Sequence, residues 1–293
     1  MGKEKYLYHY TNFVSGMSIL KSGSLRMFDA KQQSDPYEVI YAGNKIFEFF
    51  LDIISNQNNS YKKEQMKIFI GLLMFISVNY ADETKQEKIQ NSIKQITGID
   101  VDNFFVQLNK DINSRIIRNF ISSFTTSFNN KYLWDVYASN GAGIVIKIKS
   151  DCLQSLIGIK QVHYLLEEFI HHIIIEVTDY YTKSEIDKFE LLGKLNKEIT
   201  HVCLSTKQVK YSLENEIRLI EHYDCVTDEK IIEIAQNDKE FVLLPLTKQK
   251  FIKIISSIYY TDQLQLDKLE RLISFQKKHP KIELIQIPYN KVI

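Results

Sequence analysis

Four prolines and ten glycines in 293 residues leave no obvious flexible linker, and no segment repeats another. The three cysteines, Cys152, Cys203 and Cys225, are odd in number, widely spaced and form no C-x-x-C pair. This argues against a disulfide framework, and the expectation is reduced, buried thiols. Charge of one sign is also missing. Lys+Arg 37 against Asp+Glu 36 gives a net charge of +1, so no global field draws the chain to nucleic acid or an anionic membrane. Only a local basic groove stays open. No window reaches the ~18 apolar residues that a membrane span needs. The start, Met1 to Tyr6, lacks an apolar signal core, and Tyr6 stands where a myristoylation site needs Ser or Thr. The expectation is a cytoplasmic protein. Walker, G-x-G-x-x-G, H-E-x-x-H and G-x-S-x-G patterns are all absent, which removes the usual sequence support for P-loop, Rossmann, zinc-protease and α/β-hydrolase chemistry.

What is present is an ordinary globular composition, 44% hydrophobic and 25% charged. Leu7 to Tyr10 and Leu25 to Phe28 predict short strands around a helix that Asn12 caps and Gly23 stops. Asp35-Pro36-Tyr37-Glu38 places Asp at the N-cap, Pro at the first helical position and Glu at the third. Helical patterning then runs to about residue 107, broken at Asn56–Ser60 and near Tyr80–Asp82. Strands are expected at Phe124–Phe128, Gly143–Lys149 and Gln161–Tyr164. A second helical stretch covers about 167–205, broken near Asp179–Thr182. Further strands are expected at Glu214–Glu221, Phe241–Leu246, Ile252–Tyr259 and Ile282–Ile287, with a helix over Leu264–Lys277. Helices gather early and strands late, so the fold class is α+β: one domain over 1–293 with helical insertions at about 37–107 and 167–205.

Four patches combine reactive groups with aromatics: Tyr8-His9-Tyr10-Thr11; Arg26; Thr125-Thr126-Ser127 followed by Trp134, Tyr137, Gly141 and Gly143; and Glu214-Asn215-Glu216-Ile217-Arg218, preceded by Lys207 and Tyr211. As a strand, the last puts Glu214, Glu216 and Arg218 on one face and Ile217 and Leu219 on the core face. Spacing alone favours the wet edge of a sheet over the wall of a cleft. Trp134 and Tyr137, three apart, share a helical face, for which core packing is the ordinary reading, just as a hydrogen-bonded structural role is for His9 and a solvated one for Arg26. Glu168-x-x-His171 and Glu198-x-x-His201 match half of a di-iron pattern. The strand-rich second half offers no four-helix bundle for it, so no metal is expected.

In order along the chain, Tyr8-His9-Tyr10-Thr11, Gly23, Asp35-Pro36-Tyr37-Glu38, Ser127-Phe128, Trp134-Asp135-Val136-Tyr137-Ala138 with Gly143, and Glu214-x-Glu216-x-Arg218 resemble a bacterial family of unknown function, some members of which are associated with abortive infection of phage. The start is also similar to ADP-ribosyltransferases. That resemblance implies a mixed sheet with a helical insertion, NAD as substrate, and transfer of ADP-ribose to a macromolecule, protein or nucleic acid, or to water. It implies that His9 contacts a ribose of NAD, that Ser127 lies on the Ser-Thr-Ser-like strand lining the site, and that a late glutamate stabilises the reaction centre. The branch with the Ser-Thr-Ser strand carries arginine on its first strand, where this chain has His9.

The chemistry asks for such groups. Breaking the nicotinamide–ribose bond builds positive charge on the ribose. Glu216 is the candidate carboxylate to stabilise it, and Glu214 the candidate to orient or deprotonate the acceptor. Arg26 or Arg218 could meet the pyrophosphate, and Tyr10 or Tyr137 could stack on nicotinamide. The enzyme reading rests on Glu216 and His9 converging across one sheet. Two other classes stay open: a non-catalytic module sensing a phage protein or nucleic acid, and a nuclease toxin using His9 and Glu216 as acid and base.

Overall fold

Strand β1 (Tyr6–Thr11) alternates between two environments along its whole length, and that alternation organises the molecule. Tyr8 and Tyr10 enter an aromatic cluster with Trp134 and Tyr259, while Leu7 enters a different apolar core on the other face. In this computed structural model the described residues are 6–32, 37–55, 68–73, 75–76, 117–154, 158–162, 170–175, 188–224, 233–234, 239–244 and 246–293.

Helix α1 (Phe13–Ser22) begins where Asn12 accepts a hydrogen bond from Ser15 N, and ends at Gly23, whose φ of 67° is left-handed. Strand β2 (Arg26–Asp29) follows, then helix α2 (Tyr37–Ser55). Asp35 and Pro36, the expected start signal of α2, lie outside the described residues, as do the proposed breaks at 56–60, 80–82 and 179–182. Residues 68–73 are again helical. Strand β3 is Ile117–Thr125, not Phe124–Phe128 as the local pattern suggested. Cross-strand pairing decides this, because β3 pairs with its neighbour over all nine residues while Ser127 turns back to accept from Asn129 N. The next elements are α3 (Lys131–Val136), β4 (Ile144–Lys149), α4 (Asp151–Gln154), β5 (Gly158–Gln161), α5 (Lys188–Ser205) and β6 (Glu216–Asp224). Of the expected strand at 161–164, residues 163 and 164 lie outside the described residues.

The chain closes with β7 (Glu233–Ile234), β8 (Glu240–Leu243), α6 (Lys248–Ile254), β9 (Ile255–Thr261), α7 (Leu266–Lys278) and β10 (Glu283–Ile287). The expected strand over Ile252–Tyr259 is therefore two elements. Thr247 caps a short helix by accepting from Lys250 N, and Phe251 and Ile254, three apart, bury one side of it.

The sheet forks at β3. One side of β3 pairs along its length with β6, which in turn pairs with β5. The other side is shared: Phe120 and Ile121 pair with β2, Thr125 with β1. From there β1 leads to β4, β9 and β10, and β2 leads to β8 and β7. Among the described strands only β9 and β10 pair in parallel. The fold is mixed α+β.

Two layers cover the sheet. Helices α1, α6 and α7 pack on one face through Met17, Leu20, Phe251 and Phe275. On the other face α2, residues 68–73 and 75–76, and α5 build a helical core around Phe50, Leu72 and Leu195, closed against Ile121 and Ile220 of β3 and β6. The described parts of the two expected helical stretches, which otherwise lie outside the described residues, pack in this one layer. Cys203 is a free, buried thiol within it. The side chain of Cys152 and all of Cys225 lie outside the described residues. Among the described residues no helix is long and apolar enough to cross a membrane.

Candidate functional site

Asn215 reverses the chain just before β6, and this places the acidic pair. Its φ of 44° is left-handed, a conformation asparagine tolerates better than most residues. Glu214 therefore ends a 3-10 turn (Val209–Glu214) instead of continuing the strand, and Glu216 opens β6. Asn215 Nδ2 fixes the turn by donating to Thr126 Oγ1 at 2.9 Å.

The strand is not a wet edge. β6 lies between β3 and β5, and Glu214, Glu216, Arg218 and Lys207 are each 3% exposed or less. Four charges leave water together because they neutralise one another. Lys207 Nζ bridges Glu214 Oε2 at 2.7 Å and Glu216 Oε2 at 2.8 Å. Arg218 Nε donates to Glu216 Oε1 at 2.9 Å, and its Nη2 to Oε2 at 3.3 Å. The remaining Arg218 nitrogen, Nη1, donates to Leu204 O at 2.6 Å. That carbonyl belongs to the last turn of α5, where carbonyls have no partner within the helix, so Arg218 also ties the helical layer to the sheet. The hydroxyl of Tyr137, at the end of α3, donates to Glu214 Oε1 at 3.0 Å. Tyr137 is 41% exposed, so it is the point at which the network meets solvent. Thr206, fully buried beside Lys207, has a hydroxyl with no hydrogen-bond partner.

The two carboxylates are driven in opposite directions. Burial pushes Glu216 up, but Arg218 and Lys207 outweigh it and hold the group at about 2. Burial raises Glu214, and Lys207 only partly offsets this. A pair so divided is the usual signature of one group held ionised and one able to take a proton. Burial also raises the Tyr137 phenol, with the negative charge of Glu214 adding to it.

His9 is not part of this constellation. Tyr8 pairs with Thr125, and Thr125 with Glu216, so those three side chains share a face. His9, one residue on, points to the opposite face. Its ring lies 5.3 Å from Phe124 of the α1-side core, and its Nδ1 is 3.0 Å from Ser123 O in the fork between β1 and β3. The expected convergence of His9 and Glu216 is therefore corrected by the register. The separation removes the shared His9–Glu216 centre on which both the enzyme and the nuclease readings drew, and leaves the Glu214–Glu216 pair as the acidic group of the site.

Other expected contacts also move. Tyr10 is buried, donates to Ser127 O at 3.0 Å and packs edge-on to Trp134, so it serves the aromatic core, not a ligand. Ser127 is half-buried, and its hydroxyl accepts from Asn129 N. Trp134 is fully buried and donates to Phe128 O, whereas Tyr137, expected beside it in the core, faces outward. Arg218 spends its donors inside the fold. Arg26 is exposed on β2, its guanidinium 4.4 Å from the Phe241 ring. Of the metal pattern, Glu168 lies outside the described residues, and Glu198 faces His172 at 3.6 Å.

Lys207 carries the centre of the network, yet from sequence it could be placed only beside the acidic patch and not assigned a role. A lysine seven residues ahead of an acidic pair looks the same on a solvated turn.

Residues 133–219 match a family model described as a protein of unknown function, DUF2971. The matched span holds Trp134, Tyr137, Lys207, Glu214, Glu216 and Arg218; His9 and Arg26 fall outside it. No curated protein and no solved structure matches the chain.

Proposed function

We propose that this chain is an enzyme of the ADP-ribosyltransferase type that cleaves NAD on an ADP-ribosyltransferase-like forked sheet, with the carboxylate pair at the start of β6 as its charged centre. The observation that carries this is the opposite perturbation of Glu214 and Glu216 around a shared ammonium group, with a half-exposed tyrosine at the entrance. Glu216, ionised at neutral pH, is the group that faces positive charge developing on the ribose. Glu214 takes the proton of the acceptor, which is a macromolecule or water. The ribose hydroxyl displaces Lys207 from Glu216 on binding, and the exposed ring of Tyr137 offers a surface for nicotinamide. Arg26 is the cation left for the pyrophosphate. In this reading His9 holds the fork through Ser123 O and does not touch the reacting ribose. A cytoplasmic effector of phage defence, or a toxin, is the biological setting that fits such an activity.

The test is release of nicotinamide from NAD by purified protein, wild type against Glu216→Gln and Glu214→Gln, with circular dichroism to show that each variant is folded. Turnover in the wild type that falls at least ~100-fold in folded Glu216→Gln supports the assignment. Equal turnover in the two removes it.

One observation favours a second reading, a recognition module without catalysis: both oxygens of Glu216 and all three Arg218 nitrogens are already engaged within the fold. Thermal unfolding with added NAD separates the two, because a ligand that binds only the native state raises the midpoint. A raised midpoint with no nicotinamide release favours recognition.

A further inference from the structure

On the face of the sheet opposite Glu216, the end of α1, the start of α6 and the length of α7 enclose an open groove of about 390 Å³. Its floor is apolar, with Leu20 and Phe275 buried in the α1-side core. Its rim is cationic: Lys21, Lys248, Arg271 and Lys278 all line it, and all four are exposed. His279 completes the wall, its ring 4.5 Å from that of Phe275. Among the described residues no carboxylate lines the groove, and none of the four cations forms a salt bridge.

The convergence is built into the fold. At Gly23 a Cβ would lie 2.3 Å from Lys248 Cγ and 2.9 Å from its Cα, so only glycine lets α6 start against the end of α1 and set Lys248 beside Lys21. Arg271 is positioned by Phe13, whose ring lies 5.3 Å from the guanidinium. In a chain of net charge +1, four cations around one hollow with no acid between them is a local concentration, not a general surface property. Like charges held this close repel, and a multivalent anion removes the repulsion. Lysines supply point charges and the arginine a planar fork for phosphate, while the apolar floor suits the flat face of a base. The volume is that of a small-molecule site.

We propose that this groove binds a phosphate-bearing nucleotide, its phosphates among Lys21, Lys248, Arg271 and Lys278 and its base against Phe275 and His279. The nucleotide arrives either free or as the phosphorylated end of a nucleic-acid strand. This goes beyond the NAD-cleaving reading: the groove lies across the sheet from the carboxylates, so its ligand is an effector and not the molecule cleaved.

The experiment is calorimetric titration of the whole chain with ATP, adenosine, inorganic triphosphate and a 5′-phosphorylated single-stranded oligonucleotide, at low and at physiological salt. ATP is expected to bind saturably, more weakly as salt rises, with adenosine showing no binding. The double variant Lys248→Gln/Arg271→Gln, at two exposed positions, weakens ATP binding by about tenfold or more. The Glu216→Gln variant binds ATP like the wild type, so the result stands apart from any NAD turnover. Oligonucleotide binding that the double variant loses, without ATP binding, supports the site and assigns the nucleic-acid source. No saturable binding of either, binding unchanged in the double variant, or triphosphate binding as tightly as ATP overturns the proposal.

Discussion

The hydroxyl of Tyr137 lies 3.0 Å from Glu214 Oε1, although 77 residues separate the two in sequence. One partner is 41% exposed and the other 3%, so this single hydrogen bond couples a buried charge network to solvent. The bond holds Glu214 down against the burial that raises it. Tyr137→Phe should therefore raise the pKa of Glu214 further and cost about 1 kcal/mol of stability. In the enzyme reading, the acid limb of the pH–rate profile moves to higher pH. A profile that does not move would detach Tyr137 from the carboxylate.

Among the described residues Lys207 alone forms salt bridges with both carboxylates. Lys207→Met leaves Glu216 with Arg218 and Glu214 buried without that bridge, and the expected loss is about 3–5 kcal/mol, measured by urea denaturation. Adding Glu214→Gln to that variant removes one of the stranded charges and should restore part of the loss. A single-variant loss well below ~1 kcal/mol would mean that water already reaches the pair.

Glu216, Glu214 and His9 each contribute to the pH dependence of stability with a definite sign. Glu216, with an ordinary value of 4.5 and about 2 in the fold, stabilises the native state above about 4.5, and that contribution is lost as pH falls toward 2. Glu214 is raised, so its contribution is full below 4.5 and is lost as pH climbs through its folded value. His9 is lowered by burial from 6.5, against the hydrogen bond to Ser123 O, so stability falls as pH drops below 6.5. Urea midpoints of His9→Gln should accordingly vary less between pH 7 and 5 than those of the wild type. Parallel curves for the two proteins would contradict the burial of a neutral imidazole.

Two glycines predict opposite outcomes. A Cβ at Gly143 would lie 2.4 Å from Thr11 O, and a backbone carbonyl inside a sheet cannot step aside. Gly143→Ala is expected to cost about 1–3 kcal/mol. Gly193, within α5, has nothing within 4 Å, so Gly193→Ala should add up to about 1 kcal/mol through helix propensity alone. Thermal midpoints of the two variants move in opposite directions if the packing is as described.

Much of the local structure was legible because it rests on short-range physics. The Asn12 cap, the Gly23 stop and the alternation of Ile144 to Lys149 all follow from backbone and side-chain chemistry within a few residues. The misplacements share a cause. β3 extends back to Ile117 because β6 offers nine partners, and Ile252–Tyr259 splits because Thr247 caps a helix whose two apolar residues also fit a strand. Alternating charge on β6 looks solvated to any local rule, since its neutralising partners are distant or lie in an unremarkable turn.

By itself the sequence determined the mixed α+β class and the small set of acidic, basic and aromatic residues from which any site had to be drawn. Which of them meet was decided only in three dimensions. Pairing between β1, β3 and β6 turned Glu216 toward Tyr8 and away from His9, because one step along a strand reverses the side chain. The same packing buried Lys207 together with Glu214, Glu216 and Arg218 and left four other charges, Lys21, Lys248, Arg271 and Lys278, around a hollow that no carboxylate lines among the described residues.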